Sequence, residues 1–273
     1  MSAGEIGLEL RDVSVQFGGI HAVQGVDFSV APSRVHGLVG PNGSGKTTIL
    51  NAICGFVGSD GEIEVGGARI DGMGSYGRMR RGLGRTFQNP RPARELTVRD
   101  LLRIGEHDRK AQPWWQVALT PRAADRALRE SNERASRLLA MVDIGPGLLE
   151  QQLVNLPAGV LKMVDIARAL MGAPRVLLLD EPTSGMNDVE IDLLHAALRE
   201  LSGDSLTILL VEHNLRFMFD ICDSMTVLAT GRVVGHGTPD EVFQREEVIH
   251  AYMGSSTASV HEPRPHPVEP SGG

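Results

Sequence analysis

The sequence predicts an α/β fold in which a parallel-sheet core follows antiparallel strands and is interrupted by a helical segment. Three observations predict it. Continuous apolar runs at 176–179 and 206–211 are typical of strands in a parallel sheet covered on both faces. Alternating apolar and polar residues within the first 30 positions indicate antiparallel strands. The stretch 121–143 is rich in Ala, Arg, Leu and Glu at helical spacing.

The first part of the chain supplies strands and one helix. Strands are predicted at 8–15, 26–30, 35–39 and within the alternating stretch 61–70. The link between the first two begins at the turn Phe17-Gly18-Gly19, and Gly66-Gly67 is the turn of the last stretch. A helix is predicted over 47–55 because the pattern ends at a glycine.

The middle of the chain is predicted to be helical over 96–105 and 121–143, with Leu128, Leu138, Leu139 and Val142 buried. After Gly159 the α/β pattern returns. Helices are predicted at 161–170 and 189–201, and strands at 176–180 and 206–211. The tail 255–273 holds four prolines with serine and glycine, and is predicted to be disordered.

Composition argues against several functional classes. Lys and Arg number 27 against 34 Asp and Glu, and the net charge of -7 disfavours a general nucleic-acid-binding protein. Cys54 and Cys222 are far apart and are predicted to be small core residues. No apolar run approaches the ~18 residues of a spanning helix. The N-terminus lacks a secretory signal pattern. We therefore expect a cytosolic protein.

A phosphate-binding motif occupies residues 40–47. Gly40-Pro41-Asn42-Gly43-Ser44-Gly45-Lys46-Thr47 fits GxxxxGK[ST] and lies between a predicted strand and a predicted helix. The glycines let backbone N–H groups wrap a polyphosphate at the helix N-terminus. Lys46 is expected to reach the β and γ phosphates, and the Thr47 hydroxyl to bind Mg²⁺. Thr48 belongs to the predicted ATP site.

Acidic residues follow the next buried strand. Asp180 ends the strand and is predicted to hold the Mg²⁺ shell, while Glu181 is placed to polarise the attacking water. A further parallel strand ends at Glu212-His213, at the sheet edge where open α/β folds bind ligands. His213 is predicted to contact the γ-phosphate and orient Glu181, although a lone histidine is more often structural.

These motifs, in this order, resemble the ATP-binding cassette family of transport ATPases. The base-reading NKxD motif of GTPases is missing. The resemblance runs to about Gly254 and rests on the loop at 40–47, Gln88, Leu156-Pro157-Ala158-Gly159-Val160, Ile166-Ala167-Arg168-Ala169-Leu170, Leu179-Asp180-Glu181-Pro182, Ser184-Gly185-Met186-Asn187 and His213. It implies a P-loop NTPase (RecA-like) core formed by 1–86 and 162–254. An N-terminal antiparallel β subdomain and a helical subdomain over 87–161 are implied as well.

Within that family the sequence resembles the nucleotide-binding subunit of branched-chain amino acid importers. The residues that carry this are Phe17-Gly18-Gly19-Ile20-His21-Ala22-Val23, Gly84-Arg85-Thr86-Phe87-Gln88, Glu95-Leu96-Thr97-Val98, Glu212-His213-Asn214-Leu215, Gly237-Thr238-Pro239 and Ala251-Tyr252-Met253-Gly254. Urea and short-chain amide importers share much of this pattern. A poorly hydrolysing regulatory cassette is a further alternative, and the direction of transport stays open.

The resemblance also implies residue roles and partners. Phe17 would stack on adenine, with packing in its own turn as the competing interpretation. Gln88 would reach Mg²⁺ or the water. The Trp114-Trp115 pair would contact a partner or pack within the insert. Two transmembrane permease subunits and, indirectly, a periplasmic or lipoprotein solute-binding protein are implied. The chain would lie peripherally on the cytoplasmic side of the cell (inner) membrane.

One segment departs from the family pattern. The signature is usually LSGGQ, and here it is Leu156-Pro157-Ala158-Gly159-Val160. In cassette dimers this segment closes over ATP held by the opposite subunit, with a serine hydroxyl and backbone N–H groups. Pro157 has neither, and Ala158 adds a Cβ where close approach is needed. Because the chain's own Lys46, Asp180, Glu181 and His213 match the pattern, we expect a heterodimer with a cassette whose signature is intact.

Overall fold

A computed structural model describes residues 7–86, 95–107, 121–142, 144–203 and 205–250. Its strands form two sheets. The first is antiparallel, in the order β2-β1-β4-β5, and consists of β1 (Leu8–Phe17), β2 (Ile20–Val30), β4 (Asp60–Val65) and β5 (Ala68–Arg69). This confirms the predicted antiparallel strands. The first hairpin is longer than predicted, because Gly18 and Gly19 alone form its turn.

The second sheet has the order β10-β9-β3-β8-β7-β6. Its strands are β3 (Val35–Val39), β6 (Leu83–Arg85), β7 (Val176–Asp180), β8 (Thr207–Val211), β9 (Ser224–Ala229) and β10 (Arg232–Gly237). All neighbours are parallel except β9 and β10. The predicted parallel sheet is therefore confirmed, and the strands β6, β9 and β10 are additions that the sequence did not predict.

The α-helices of these ranges include α1 (Lys46–Cys54), α2 (Ser75–Arg80), α3 (Val98–His107), α4 (Pro121–Met141), α5 (Ala158–Met171), α6 (Asp188–Gly203), α7 (Leu215–Ile221) and α8 (Pro239–Phe243), and residues 246–250 are helical as well. Short 3₁₀ turns lie at Pro146–Leu148 and Leu153–Asn155. No helix within the described ranges has both the length and the apolar character that crossing a bilayer requires.

The parallel sheet is buried on both faces, as its apolar strands predict. Leu177 and Leu179 of β7 belong to a core that includes residues of α5, α6 and α7. The alternate residues Val176 and Leu178 belong to a second core, shared with α1 and the antiparallel sheet. The period of two along each strand thus divides the interior into two cores. Cys54 and Cys222 are buried free thiols in these cores, as predicted.

Two sequence predictions about the helices need correction. Leu128 is 45% exposed, whereas Leu138, Leu139 and Val142 are buried as predicted. Helix α5 begins at Ala158 rather than residue 161, with Pro157 as its N-cap. Gln88, the Trp114-Trp115 pair and the tail 255–273 lie outside the described residues.

Candidate active site

The glycine-rich loop connects β3 to α1 and turns sharply at three positions. Gly40, Gly43 and Gly45 have φ values of 148°, 78° and 107°, a region that side chains disfavour. A Cβ on Gly40 would overlap the carbonyl oxygen of Leu228. Helix α1 then starts at Lys46 without a side-chain N-cap. Its first N–H groups and positive end therefore face the loop, an arrangement that suits a phosphate.

The ammonium of Lys46 is held inside this loop. Its Nζ donates to the carbonyl oxygens of Gly40 at 2.8 Å and Pro41 at 2.9 Å. Burial lowers the pKa of Lys46, and the nearby carboxylates of Glu181 and Asp180 oppose that effect. The Ser44 hydroxyl is also buried, and no described residue bonds to it. The loop therefore presents a cation and a free hydroxyl together.

Asp180 lies at the carboxyl end of β7, with its side chain 1% exposed. Burial raises the pKa of its carboxyl, and Arg85 opposes this. Arg85 Nη2 lies 3.4 Å from Asp180 Oδ2, and Arg85 Nη1 donates to Asn51 Oδ1 of α1 at 2.7 Å. Asp180 Oδ1 is buried and has no hydrogen-bond partner among the described residues. One oxygen of this carboxylate is thus oriented and the other is free to bind a ligand.

Glu181 and His213 meet where two neighbouring strands end. Glu181 follows β7 directly, and His213 lies two positions after the end of β8. His213 Nε2 lies 2.8 Å from Glu181 Oε1. In this contact the imidazole donates and the carboxylate accepts. The two side chains therefore lie within hydrogen-bond distance at the carboxyl edge of the sheet.

Glu212 connects the segments that follow β7 and β8. Its carboxylate is 4% exposed and accepts hydrogen bonds from Thr183 N and Oγ1, both at 2.6 Å. Its other oxygen accepts from the backbone N–H of His213 at 2.9 Å. Glu212 therefore fixes the segment after Glu181 relative to the segment that carries His213.

The phosphate loop, Glu181 and His213 line one open cleft of about 570 Å³. The predicted residues on its wall are Asn42, Gly43, Ser44, Gly45, Lys46, Thr47, Thr48, Glu181 and His213. Asp180 is not on the wall, and it lines a smaller pocket together with Glu181 and Lys162. Phe17 of β1 is not on the wall either, and it is 51% exposed. Its partner in the strand pair is Ile20 of β2, which is on the wall. Gln88 lies outside the described residues.

The site also contains residues that the sequence did not single out. The cleft wall includes Ile20, His21, Ala22, Gln24, Thr230 and Gly231. Four residues outside the wall position the acidic residues: Asn51, Arg85, Thr183 and Glu212. Lys162 of α5 donates to the carbonyl oxygen of Glu181 at 2.8 Å. Arg85 and Glu212 each lie within a motif quoted above, and that was the only sequence signal for either.

Comparison with known proteins places this geometry in context. The family model described as ABC transporter matches residues 23–184. The high-affinity branched-chain amino acid transport ATP-binding protein BraF of Pseudomonas aeruginosa is 34% identical, over 91% of this chain and 98% of its own length. The corresponding protein LivG of Escherichia coli K12 is 33% identical over the same shares.

A solved structure has the same fold. The ADP conformation of MJ1267, an ATP-binding cassette of an ABC transporter, superposes with a TM-score of 0.78 and 29% sequence identity. The match covers 92% of this chain and 99% of that one. The likeness therefore extends over most of this chain and nearly all of that one.

Proposed function

The chain belongs to the ABC transporter family and is an ATP-hydrolysing subunit, and from that premise we propose that it energises the uptake of branched-chain amino acids. One observation carries the site assignment: residues 42–48 of the phosphate loop, Glu181 and His213 line a single cleft. We propose Gly40–Thr47 and Thr48 as the ATP-binding residues and Glu181, His213 and Gln88 as the catalytic ones.

Nucleotide binding would begin at the loop. Lys46 already lies among the loop carbonyls, and a polyphosphate in the cleft would offer its ammonium stronger acceptors than those carbonyls. The N–H groups at the start of α1 would bind the same phosphates. Phe17 would stack on adenine from the tip of the first hairpin. Its exposure and its pairing with Ile20, a residue of the cleft wall, support this role.

Hydrolysis would depend on Glu181. In its ionised form the carboxylate accepts a proton from a water attacking the γ-phosphate. The contact with His213 Nε2 holds Oε1, so the carboxylate has a defined direction toward the cleft. His213 is itself 47% exposed on the cleft side, which supports a second contact with the γ-phosphate.

The donor set fits a magnesium ion. A buried carboxylate oxygen without a partner among the described residues, Asp180 Oδ1, is the hard oxygen ligand that Mg²⁺ prefers. We propose Asp180, the Thr47 hydroxyl and Gln88 as the residues that hold it. When bound, the ion would neutralise charge on the β and γ phosphate oxygens.

The ATPase proposal is tested by Glu181→Gln. This change keeps the shape of the side chain and removes the base, so we expect the single-turnover hydrolysis rate to fall about a hundredfold or more. ATP affinity, measured by equilibrium binding, should change little. The exposed Glu200→Gln serves as the matched control. Retention of the wild-type hydrolysis rate in Glu181→Gln would remove Glu181 from the catalytic role.

The solute proposal rests on the relatives, BraF and LivG, and needs a transport assay. Cells that lack this chain should lose uptake of radiolabelled leucine, and the wild-type chain but not Glu181→Gln should restore it. Labelled urea is the discriminating probe: loss of urea uptake with normal leucine uptake would favour the short-amide alternative.

We further propose that the chain pairs with a different cassette and with two membrane-spanning permease subunits at the cytoplasmic face of the membrane. The N-terminus of α5 supports the first part. Pro157 caps that helix with no side-chain hydrogen bond. A Cβ on Gly159 would overlap the carboxylate of Glu190, so this negative group lies directly over the first turn. A carboxylate there opposes a partner's ATP phosphate, which favours one competent site per dimer, built on this chain's own loop.

A further inference from the structure

Glu181 has an uncommon backbone conformation. Its φ is +49°, in the left-handed region that residues other than glycine rarely adopt. Such a conformation persists only where the surroundings hold it in place. Here the N–H of Glu181 donates to the carbonyl oxygen of Val211 at 2.8 Å, and its carbonyl oxygen accepts from Lys162 Nζ at 2.8 Å. Ser184 N–H gives that oxygen a longer bond of 3.3 Å.

Lys162 reaches this carbonyl from a separate element. It lies in α5, four residues after the helix begins. Its half-buried side chain extends from α5 to the segment that follows β7. A charged donor makes a stronger hydrogen bond to a carbonyl than a neutral one. The carboxylates of Glu181 and Glu212 also attract the ammonium. Lys162 is not on the wall of the ATP cleft, so its direct effect is on the backbone of Glu181.

We propose that Lys162 is a positioning residue: its ammonium holds the left-handed backbone of Glu181 and so directs the carboxylate toward His213 and the cleft. Because Lys162 belongs to the helix that starts at the altered signature segment, it also links that segment to the hydrolytic residue. The inference rests on the proposed role of Glu181. It assigns no new group to the nucleotide itself.

The kinetic test uses Lys162→Met, which keeps the length of the side chain and removes the donor, and Lys162→Arg, which keeps donor and charge. We expect Lys162→Met to lower kcat about tenfold in steady-state assays of the assembled transporter, an effect of about 1.4 kcal/mol on the barrier. KM and ATP affinity should stay within about twofold, and Lys162→Arg should recover most of the rate. The matched control is Arg137→Met, which removes an exposed cationic side chain from α4. An unchanged kcat, or an equal loss of ATP affinity, would overturn the proposal.

A spectroscopic measurement distinguishes failure of the Lys162 proposal from failure of the proposed function. In ¹⁵N-histidine-labelled protein, the imidazole signal of His213, assigned with His213→Gln, reports its contact with Glu181 at fixed pH. Lys162→Met should shift this signal toward its position in Glu181→Gln, and Lys162→Arg should not. If Glu181→Gln hydrolyses ATP normally, the proposed function fails, yet a shift in Lys162→Met would still support the positioning contact. A His213 signal that is identical in wild type and Lys162→Met would overturn it.

Discussion

At the scale of single residues, His36 of β3 shows what burial does to a titratable group. It is fully buried, stacks on Phe28 at 5.3 Å, and lies 5.6 Å from the ring of His236. Its nitrogens contact Ser224 Oγ at 2.7 Å and Thr226 Oγ1 at 2.9 Å. Burial, helped by the nearby His236, lowers the pKa of His36 from 6.5 to about 3. The folded protein therefore keeps this imidazole neutral well into the acid range.

This shift predicts loss of stability in acid. Between pH 6.5 and about 3 the unfolded chain binds a proton at His36 and the folded chain does not, so the free energy of unfolding falls as pH decreases through that window. The contribution is complete above pH 6.5, and its loss amounts to a few kcal/mol. We expect His36→Gln to show a shallower dependence than wild type in denaturant titrations from pH 8 to 4.5. The exposed His250→Gln should keep the wild-type slope, and equal slopes in all three proteins would contradict the prediction.

A sequence predicts a site residue when that residue belongs to a short continuous motif. Lys46, Asp180 and Glu181 were predicted because each belongs to a short motif at the end of a strand. The side chains behind them were not. Lys162 acts on a carbonyl 19 positions away and Arg85 on a carboxylate 95 positions away, and such contacts arise only when α5 and β6 pack beside β7. Phe17 remains a prediction, since its role depends on a bound base.

At the scale of elements, capping residues determine where α3 begins. The helix predicted from residue 96 starts at Val98, because Thr97 and Asp100 exchange hydrogen bonds and make Thr97 the cap. The strand β6 was missed because three residues, two of them Gly84 and Arg85, carry no apolar periodicity. It is a strand because the backbone of β7 offers it a parallel ladder. Pairing with β7, rather than a local sequence pattern, therefore makes β6 a strand.

The crossing of α3 and α5 depends on Gly105. A Cβ at this position would overlap the carbonyl oxygen of Arg168, so the two helices approach more closely than an alanine allows. We expect Gly105→Ala to lower the free energy of unfolding by about 1–3 kcal/mol, the usual cost of overpacking. Gly203→Ala at the end of α6 is the control, since a Cβ there would meet no atom within 4 Å and alanine favours helix. Urea denaturation measures both, and a Gly105→Ala protein as stable as wild type would show that the helices can separate at no cost.

At the scale of the whole molecule, the fold follows from the sequence, and the proposed assembly depends on the start of α5. In the proposed heterodimer, the chain's own phosphate loop and acidic residues would form one half of a composite site. The opposite half that it would lend to a partner begins at Pro157, which offers neither a hydroxyl nor an N–H, and at Ala158. A chain with this asymmetry should bind ATP and yet fail to close with a copy of itself.

Repair of that segment tests the asymmetry directly. In the Glu181→Gln background, which preserves bound ATP, light scattering should show a monomer with and without Mg-ATP. The double change Pro157→Ser and Ala158→Gly adds a hydroxyl and an N–H and removes a Cβ, so we expect Mg-ATP to convert it to a dimer. Pro157→Ala, which restores the N–H alone, should have an intermediate effect, since a charge-assisted hydrogen bond contributes less singly than in a set. Dimerisation of the unrepaired chain would mean that Leu156-Pro157-Ala158-Gly159-Val160 still closes over ATP and that the transporter carries two copies of this subunit. Without dimerisation of either chain, the carboxylate of Glu190 over Gly159 would become the next group to neutralise, because it would still repel the phosphate that the repaired segment must contact.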